Sequence, residues 1–327
     1  MLGVPLRQAL PGPPVISSPA LLFKKWCKFA RVNTATQGLE SDGLDVAGGK
    51  HRRVDVGEVR LHCVEAGKGP LVVLLHGFPE FWWSWRHQIP ALAEAGFRVV
   101  APDLRGYNLS DKPPGARAYG IEHLVADVAG LIRGLGEEKA HVVGHDWGGG
   151  VAYSFAMFKP EMLRKLSILN CPHPAEMMRG LRTPSQLRKS WYMFAFQLPG
   201  VPEWLFSRND YAALRRTLRS AASSDADLEK YVDAARRGDR LHGGINYYRA
   251  MMRSAVRGKM LPFRKIEAPV QVIWGENDDF LGKDIARPSP RWAPDVRVEF
   301  LPRASHWVQI DEPKKVSKLL VDFLRDG

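Results

Sequence analysis

Cysteine is scarce: Cys27, Cys63 and Cys171 are the only thiols among 327 residues. Three thiols at unrelated spacings build neither a disulfide framework nor a thiolate zinc cluster, and their scarcity fits a reducing compartment. Long apolar runs are missing as well. No stretch approaches about 18 uninterrupted apolar residues, so no membrane-spanning helix is expected. The serine-nucleophile pattern Gly-x-Ser-x-Gly occurs nowhere. Residues 1–39 lack acidic side chains entirely and carry five Lys and Arg, while Pro5, Pro11, Pro13, Pro14 and Pro19 break up any secretory apolar core. Residues 1–50 are therefore read as an N-terminal extension, disordered or targeting-like, with packed structure beginning near His51.

What is present is ordinary for a globular protein. Apolar residues make up 45% of the chain and charged residues 25%, and the length allows a large core with an insertion. The net charge of +12 is unevenly spread. Residues 172–265 hold eighteen Lys and Arg against eight Asp and Glu, net +10. Such an excess attracts acidic substrates, anionic lipid or nucleic acid, or simply solvates helix faces. The charges are dispersed and no nucleic-acid motif accompanies them, so solvated faces are the expectation.

From His51 onward, short apolar runs alternate with amphipathic segments. Strands are expected at Glu58–Glu65, Leu71–Leu75, Arg98–Ala101, Ala140–Val143, Lys165–Leu169, Val270–Trp274 and Arg297–Leu301. Helical patterns fall near Phe81–Ala95, Ile121–Leu135, Gly149–Phe158 and Pro313–Leu324. This alternation predicts an α/β fold with a mostly parallel central sheet. Residues 172–265 break the rhythm with helical sequence alone. The expected organisation is a core of 51–171 and 266–327 with 172–265 inserted as a helical cap.

The run Gly144-His145-Asp146-Trp147-Gly148-Gly149 follows a strand and opens a helix. It has the layout of a nucleophile elbow, a strained turn that thrusts its central side chain into the crevice at the strand's carboxyl end. The central residue is aspartate. A carboxylate is already ionised at neutral pH and needs no base to displace at an electrophilic sp³ carbon, giving an ester. Epoxides or alkyl halides are the substrates that chemistry indicates. In this architecture the N–H after the nucleophile, on Trp147, and one from the earlier loop His76-Gly77-Phe78-Pro79, on Phe78, brace an oxyanion. His306, in the loop after the last strand, stands where chain order places the base. Asp278 and Asp279 both stand where the orienting acid belongs.

These segments, with Trp85-Arg86 and Asp103-Leu104-Arg105-Gly106-Tyr107 between them, resemble the α/β-hydrolase-fold epoxide hydrolases over residues from His51 to the C-terminus. The resemblance implies an α/β-hydrolase fold and selects Asp278 as the acid. Family members hold the epoxide oxygen on two cap tyrosines. The run Tyr192 to Gly200 and the run Asn246-Tyr247-Tyr248-Arg249 match the two patterns, which implies those roles for Tyr192 and Tyr248. His76, Pro79 and Trp147 are expected to line the substrate pocket. Asn108 replaces a common glycine, a change that left-handed-tolerant asparagine should absorb.

The expectation is an epoxide hydrolase that yields vicinal diols through an Asp146 ester. Its partners are a hydrophobic epoxide and water, with no metal or organic cofactor, no nucleic acid and no integral membrane association. A cytoplasmic monomer or homodimer is expected. The competing readings are a haloalkane dehalogenase using the same aspartate, and an inactive receptor on the same fold. Phe78 stands where the dehalogenases usually place a second halide donor, and no catalytic residue is missing.

Overall fold

The computed structural model describes residues 43–222, 224–239 and 241–326. The chain divides into two units, Met1–Asn33 and Thr34–Gly327, and the fold described here belongs to the second. Most of the expected N-terminal extension, residues 1–42, lies outside the described residues.

Eight strands form one sheet: β1 (Lys50–Asp55), β2 (Arg60–Gly67), β3 (Leu71–Leu75), β4 (Arg98–Pro102), β5 (Ala140–His145), β6 (Leu163–Leu169), β7 (Val270–Gly275) and β8 (Val296–Leu301). Their order is β1-β2-β4-β3-β5-β6-β7-β8. β2 is antiparallel to both its neighbours, and every other pair from β4 to β8 is parallel. Strands β3, β5 and β7 are buried at every position. That is why they read as largely apolar runs, broken only by His141 in β5 and Gln271 in β7: helices cover both faces. Five helices do so, namely α1 (Gln88–Glu94), α2 (Ile121–Gly134), α3 (Trp147–Phe158) and, after β8, α10 (Val308–Asp311) and α11 (Pro313–Arg325). The chain belongs to the α/β-hydrolase fold class by this topology.

Between β6 and β7 run six helices: α4 (Pro174–Gly180), α5 (Pro184–Lys189), α6 (Trp191–Ala195), α7 (Val201–Thr217), α8 (Asp225–Arg237) and α9 (His242–Val256). Buried ionic contacts seat this insertion on the sheet. Arg86 meets Asp227 of α8 at 2.7 Å with both side chains almost wholly buried, and Trp83 Nε1 donates to the same carboxylate at 2.6 Å. Asn108, at φ 35°, donates to Asp103 and accepts from Arg237 of α8 at 2.7 Å. The substitution is thus tolerated conformationally, as expected, and its side chain also ties loop to insertion.

Two elements differ from the sequence reading. β1, Lys-His-Arg-Arg-Val-Asp, is too charged to show a strand pattern, yet it pairs antiparallel with β2 at the sheet edge. Edge strands carry charge without penalty because one side faces water. The single helix expected at Phe81–Ala95 is a 3₁₀ turn, Trp82–Trp85, followed by α1.

Candidate active site

All the candidate catalytic groups sit at the carboxyl ends of parallel strands or on helices of the insertion. Asp146 follows β5 at φ 48° and ψ −120°, a backbone region that costs a non-glycine residue about 1–3 kcal/mol. Its side chain does not cap α3. It turns outward instead, and Oδ1 accepts the Phe78 N–H at 2.8 Å. Gly77 makes this approach possible: a Cβ there would lie 2.6 Å from the Asp146 Cβ. Trp147 opens α3 directly after Asp146, and its ring meets Tyr248 edge-on with centroids 4.9 Å apart.

The other Asp146 oxygen, Oδ2, faces His306 Nε2 at 3.6 Å. On the far side of the ring, Nδ1 lies 2.7 Å from Asp278 Oδ2. Asp278 follows β7 and is buried, and Asn170 Nδ2 and the N–H groups of Phe280 and Leu281 all donate to its carboxylate. Burial works against its ionisation, yet His306, Asn170 and the Leu281 N–H together hold its carboxyl below the usual range. For His306, burial disfavours the charge, but Asp278 and Asp146 on either side outweigh it and the ring is pushed up to about 10. Asp279 is exposed.

Tyr192 on α6 and Tyr248 on α9 close over Asp146 from the insertion, their rings edge to face at 5.9 Å. Burial, with Asp146 nearby, raises both phenols well above their ordinary value, so both remain proton donors at any physiological pH. Asp146, Tyr192 and Tyr248 line two cavities at once, one of about 920 Å³ and one of about 190 Å³. The two spaces share the point where carboxylate and phenols converge. Tyr247 points its hydroxyl elsewhere, donating to the Arg105 carbonyl at 3.0 Å.

Of the three residues expected to line the pocket, Pro79 borders the larger cavity and Trp147 the smaller. His76 borders neither. Its ring is fully buried, Nε2 accepts the Leu104 N–H at 3.0 Å, and Nδ1 therefore carries the proton and donates to the Gly77 carbonyl at 2.9 Å. The histidine braces the loop rather than touching substrate space.

A buried ionic group behind the elbow escaped the sequence reading. Glu80 Oε2 lies 2.7 Å from His145 Nδ1, with neither side chain exposed, while His145 Nε2 donates to the His306 carbonyl at 2.9 Å. The same carboxylate accepts from the Gly77 N–H at 3.2 Å and Gln309 Nε2 at 3.3 Å. Burial opposes the charge on Glu80, but His145 more than offsets it and the carboxyl is held low. One carboxylate thus joins the loop at Gly77, the turn at Asp146 and the loop that carries His306. Its only sequence signal is an acid set in the apolar run from Phe78 to Trp85. Without Glu80 the buried His145 Nδ1 and Gly77 N–H lose their acceptor, so Glu80→Ala is expected to cost about 1–3 kcal/mol of stability per stranded donor, measured by urea unfolding.

Among the described residues, no group of three or more His, Cys, Asp or Glu side chains is gathered to hold a metal ion, and no helix is long and apolar enough to cross a membrane.

Residues 70–313 match the family described as alpha/beta hydrolase fold. The AB hydrolase superfamily protein YfhM of Bacillus subtilis (strain 168) is 41% identical over 286 residues, spanning 85% of this chain and 99% of its own. Epoxide hydrolase 4 of Mus musculus is 37% identical over 289 residues, 84% of this chain and 79% of its own. A crystal structure of Bacillus megaterium epoxide hydrolase in complex with an inhibitor superposes with a TM-score of 0.78 at 35% identity, covering 85% of this chain and 100% of that one. Aspartate elbow, sheet order and relatives agree: the chain belongs to the epoxide hydrolases of the α/β-hydrolase fold family.

Proposed function

We propose that the protein converts epoxides to vicinal diols through a covalent ester on Asp146. The observation that carries this reading is the convergence of one carboxylate and two buried phenols where two cavities meet. Core residues 51–171 and 266–327 supply nucleophile and base, and the cap, 172–265, supplies the phenols.

Asp146 Oδ2 attacks one epoxide carbon, and the carbon–oxygen bond of the ring breaks. The electron pair stays on the departing oxygen, which takes a proton from Tyr192 or Tyr248. Asp146 Oδ1 becomes the ester carbonyl oxygen and rests on the Phe78 N–H. The ester carries no charge, so Asp146 no longer supports the His306 imidazolium, and the ring gives its proton through solvent to the phenolate left by the first step and becomes the neutral free base. His306, oriented by Asp278, then takes a proton from water, and the resulting hydroxide attacks the ester carbonyl. The Phe78 and Trp147 N–H groups brace the oxyanion as it collapses. The alkyl oxygen leaves as the second diol hydroxyl, taking the proton of the newly formed carboxylic acid, so that Asp146 is again a carboxylate and His306 an imidazolium. Water and epoxide are consumed one for one, with no cofactor. Two hydroxyls over the nucleophile favour an epoxide over an alkyl halide, since only the former leaves an alkoxide on the substrate to be protonated.

The test is a single turnover of an aryl epoxide in ¹⁸O-labelled water with protein in excess. Unlabelled diol, with the label in the peptide containing Asp146, is the expected result. Label in the diol instead means that water attacked the epoxide directly and overturns the ester route.

A further inference from the structure

The large exposed apolar side chains are gathered in one place. Eight of the eleven among the described residues fall between Met178 and Leu205, in the first half of the insertion. Four of the eight, Trp191, Leu198, Val201 and Leu205, also line the larger cavity. A side chain that both lines a cavity and faces solvent stands at its mouth. The mouth above Asp146 is therefore rimmed by apolar surface, and Leu187, Phe194 and Trp204, on the helices that carry these rim residues or their neighbours, are exposed at 45%, 48% and 56%.

The rim is also cationic. Arg188, Arg208 and Arg216 are exposed and line the same cavity, against one exposed acid there, Asp279. None of the three meets a carboxylate among the described residues, whereas the nearby Arg215 is held by Asp210 and Glu229. Arg208 lies over the exposed Trp204 ring at 4.5 Å, which places that indole beside the mouth. Exposed indole next to guanidinium suits the headgroup level of a bilayer, where one end is apolar and the other wet.

We propose that the rim of the larger cavity docks on an anionic lipid surface, so that a lipophilic epoxide dissolved in the bilayer passes directly into the cavity. Charge complementarity selects this partner. The insertion carries net +10, and its field turns the mouth toward a negative surface. A second copy of the chain would set the rim arginines against one another, which opposes an isologous contact. The delivery of substrate rests on the epoxide reading; the docking does not.

Flotation of the full chain with phosphatidylcholine vesicles, with and without about 30 mol% phosphatidylglycerol, tests it. The expected result is binding to the anionic vesicles, weakened by salt. The triple substitution Leu187→Glu, Phe194→Glu, Trp204→Glu is expected to cut the bound fraction by roughly tenfold or more, with turnover of a small water-soluble epoxide unchanged. The milder Arg188→Gln, Arg208→Gln pair should remove the preference for anionic lipid. Absence of vesicle binding in the parent protein, or equal binding in the triple variant, overturns the proposal. So does a dimer in sedimentation that the triple variant dissociates, which would assign the rim to a second copy. Failure to turn over the soluble epoxide without vesicles would overturn the catalytic reading and leave the docking result standing by itself.

Discussion

Replacement of His306 by glutamine is expected to halt the protein as an ester. Asp146 remains free to attack, because its nucleophilicity owes nothing to a base. Hydrolysis, however, loses the group that deprotonates water, a loss worth about 10²–10⁴-fold in rate. With excess epoxide, intact mass should rise by one substrate equivalent, and tryptic digestion should place the adduct on the Asp146 peptide. An unmodified variant under these conditions would sink the assignment of Asp146. The electrostatics sharpen the prediction. In the free protein two carboxylates border the imidazole and push it up to about 10, against the opposing effect of burial. Its folded value lies above the unfolded value of about 6.5, so its contribution to stability is complete below that pH and is lost as pH rises through about 10. The stability gap between parent and His306→Gln proteins should therefore narrow across this window in urea titrations. The ester form lacks the Asp146 charge, and hydrolysis should accordingly follow a lower pKa than the free protein displays.

How much of this was legible in the sequence depends on whether the information is local. The elbow reads directly because Gly144, Asp146 and Gly148 encode one tight turn. The strands β3, β5 and β7 read because burial on both faces leaves mostly apolar residues, with His141 and Gln271 the interior exceptions. The two tyrosines are different: nothing in their composition or spacing marks them, and only the resemblance to a family singled them out. Chemistry left Asp278 and Asp279 open. The structure separates them by burial, with Asp278 against His306 Nδ1 at 2.7 Å and Asp279 exposed. Long-range pairs were invisible. Glu80 and His145 stand 65 residues apart and meet only when β3 and β5 lie side by side. His76 misled for a related reason, since a histidine beside such a loop looks the same in sequence whether it faces substrate or the backbone at Leu104, beyond the end of β4. The basic residues of the insertion appear dispersed along the chain, and folding brings Arg188, Arg208 and Arg216 to one mouth.

Phenylalanine at Tyr192 and Tyr248 should slow the first chemical step and leave the fold alone. The rings are wedged among aromatics, Tyr248 against Phe196 at 5.0 Å and Phe78 at 5.5 Å, and Tyr192 against Phe196 at 5.6 Å and Phe280 at 5.8 Å. Phenylalanine keeps those contacts, so the melting temperature should hardly move. What disappears is a donor to the oxygen released by ring opening. Losing one donor of this kind costs about 2.7–4 kcal/mol, or 10²–10³-fold. Each single variant should form ester more slowly by about that factor, and the double variant by more than either. The two losses need not multiply, because the hydroxyls serve one oxygen. Measuring ester formation in the His306→Gln background reads alkylation alone. Equal rates in the parent and double variants would mean the epoxide oxygen is held elsewhere. An alkyl bromide supplies the contrast: its leaving group departs as an anion without a proton. Any alkylation of Asp146 by such a reagent should therefore be insensitive to both substitutions, and a matching loss there would show that the tyrosines shape the cavity rather than protonate the product.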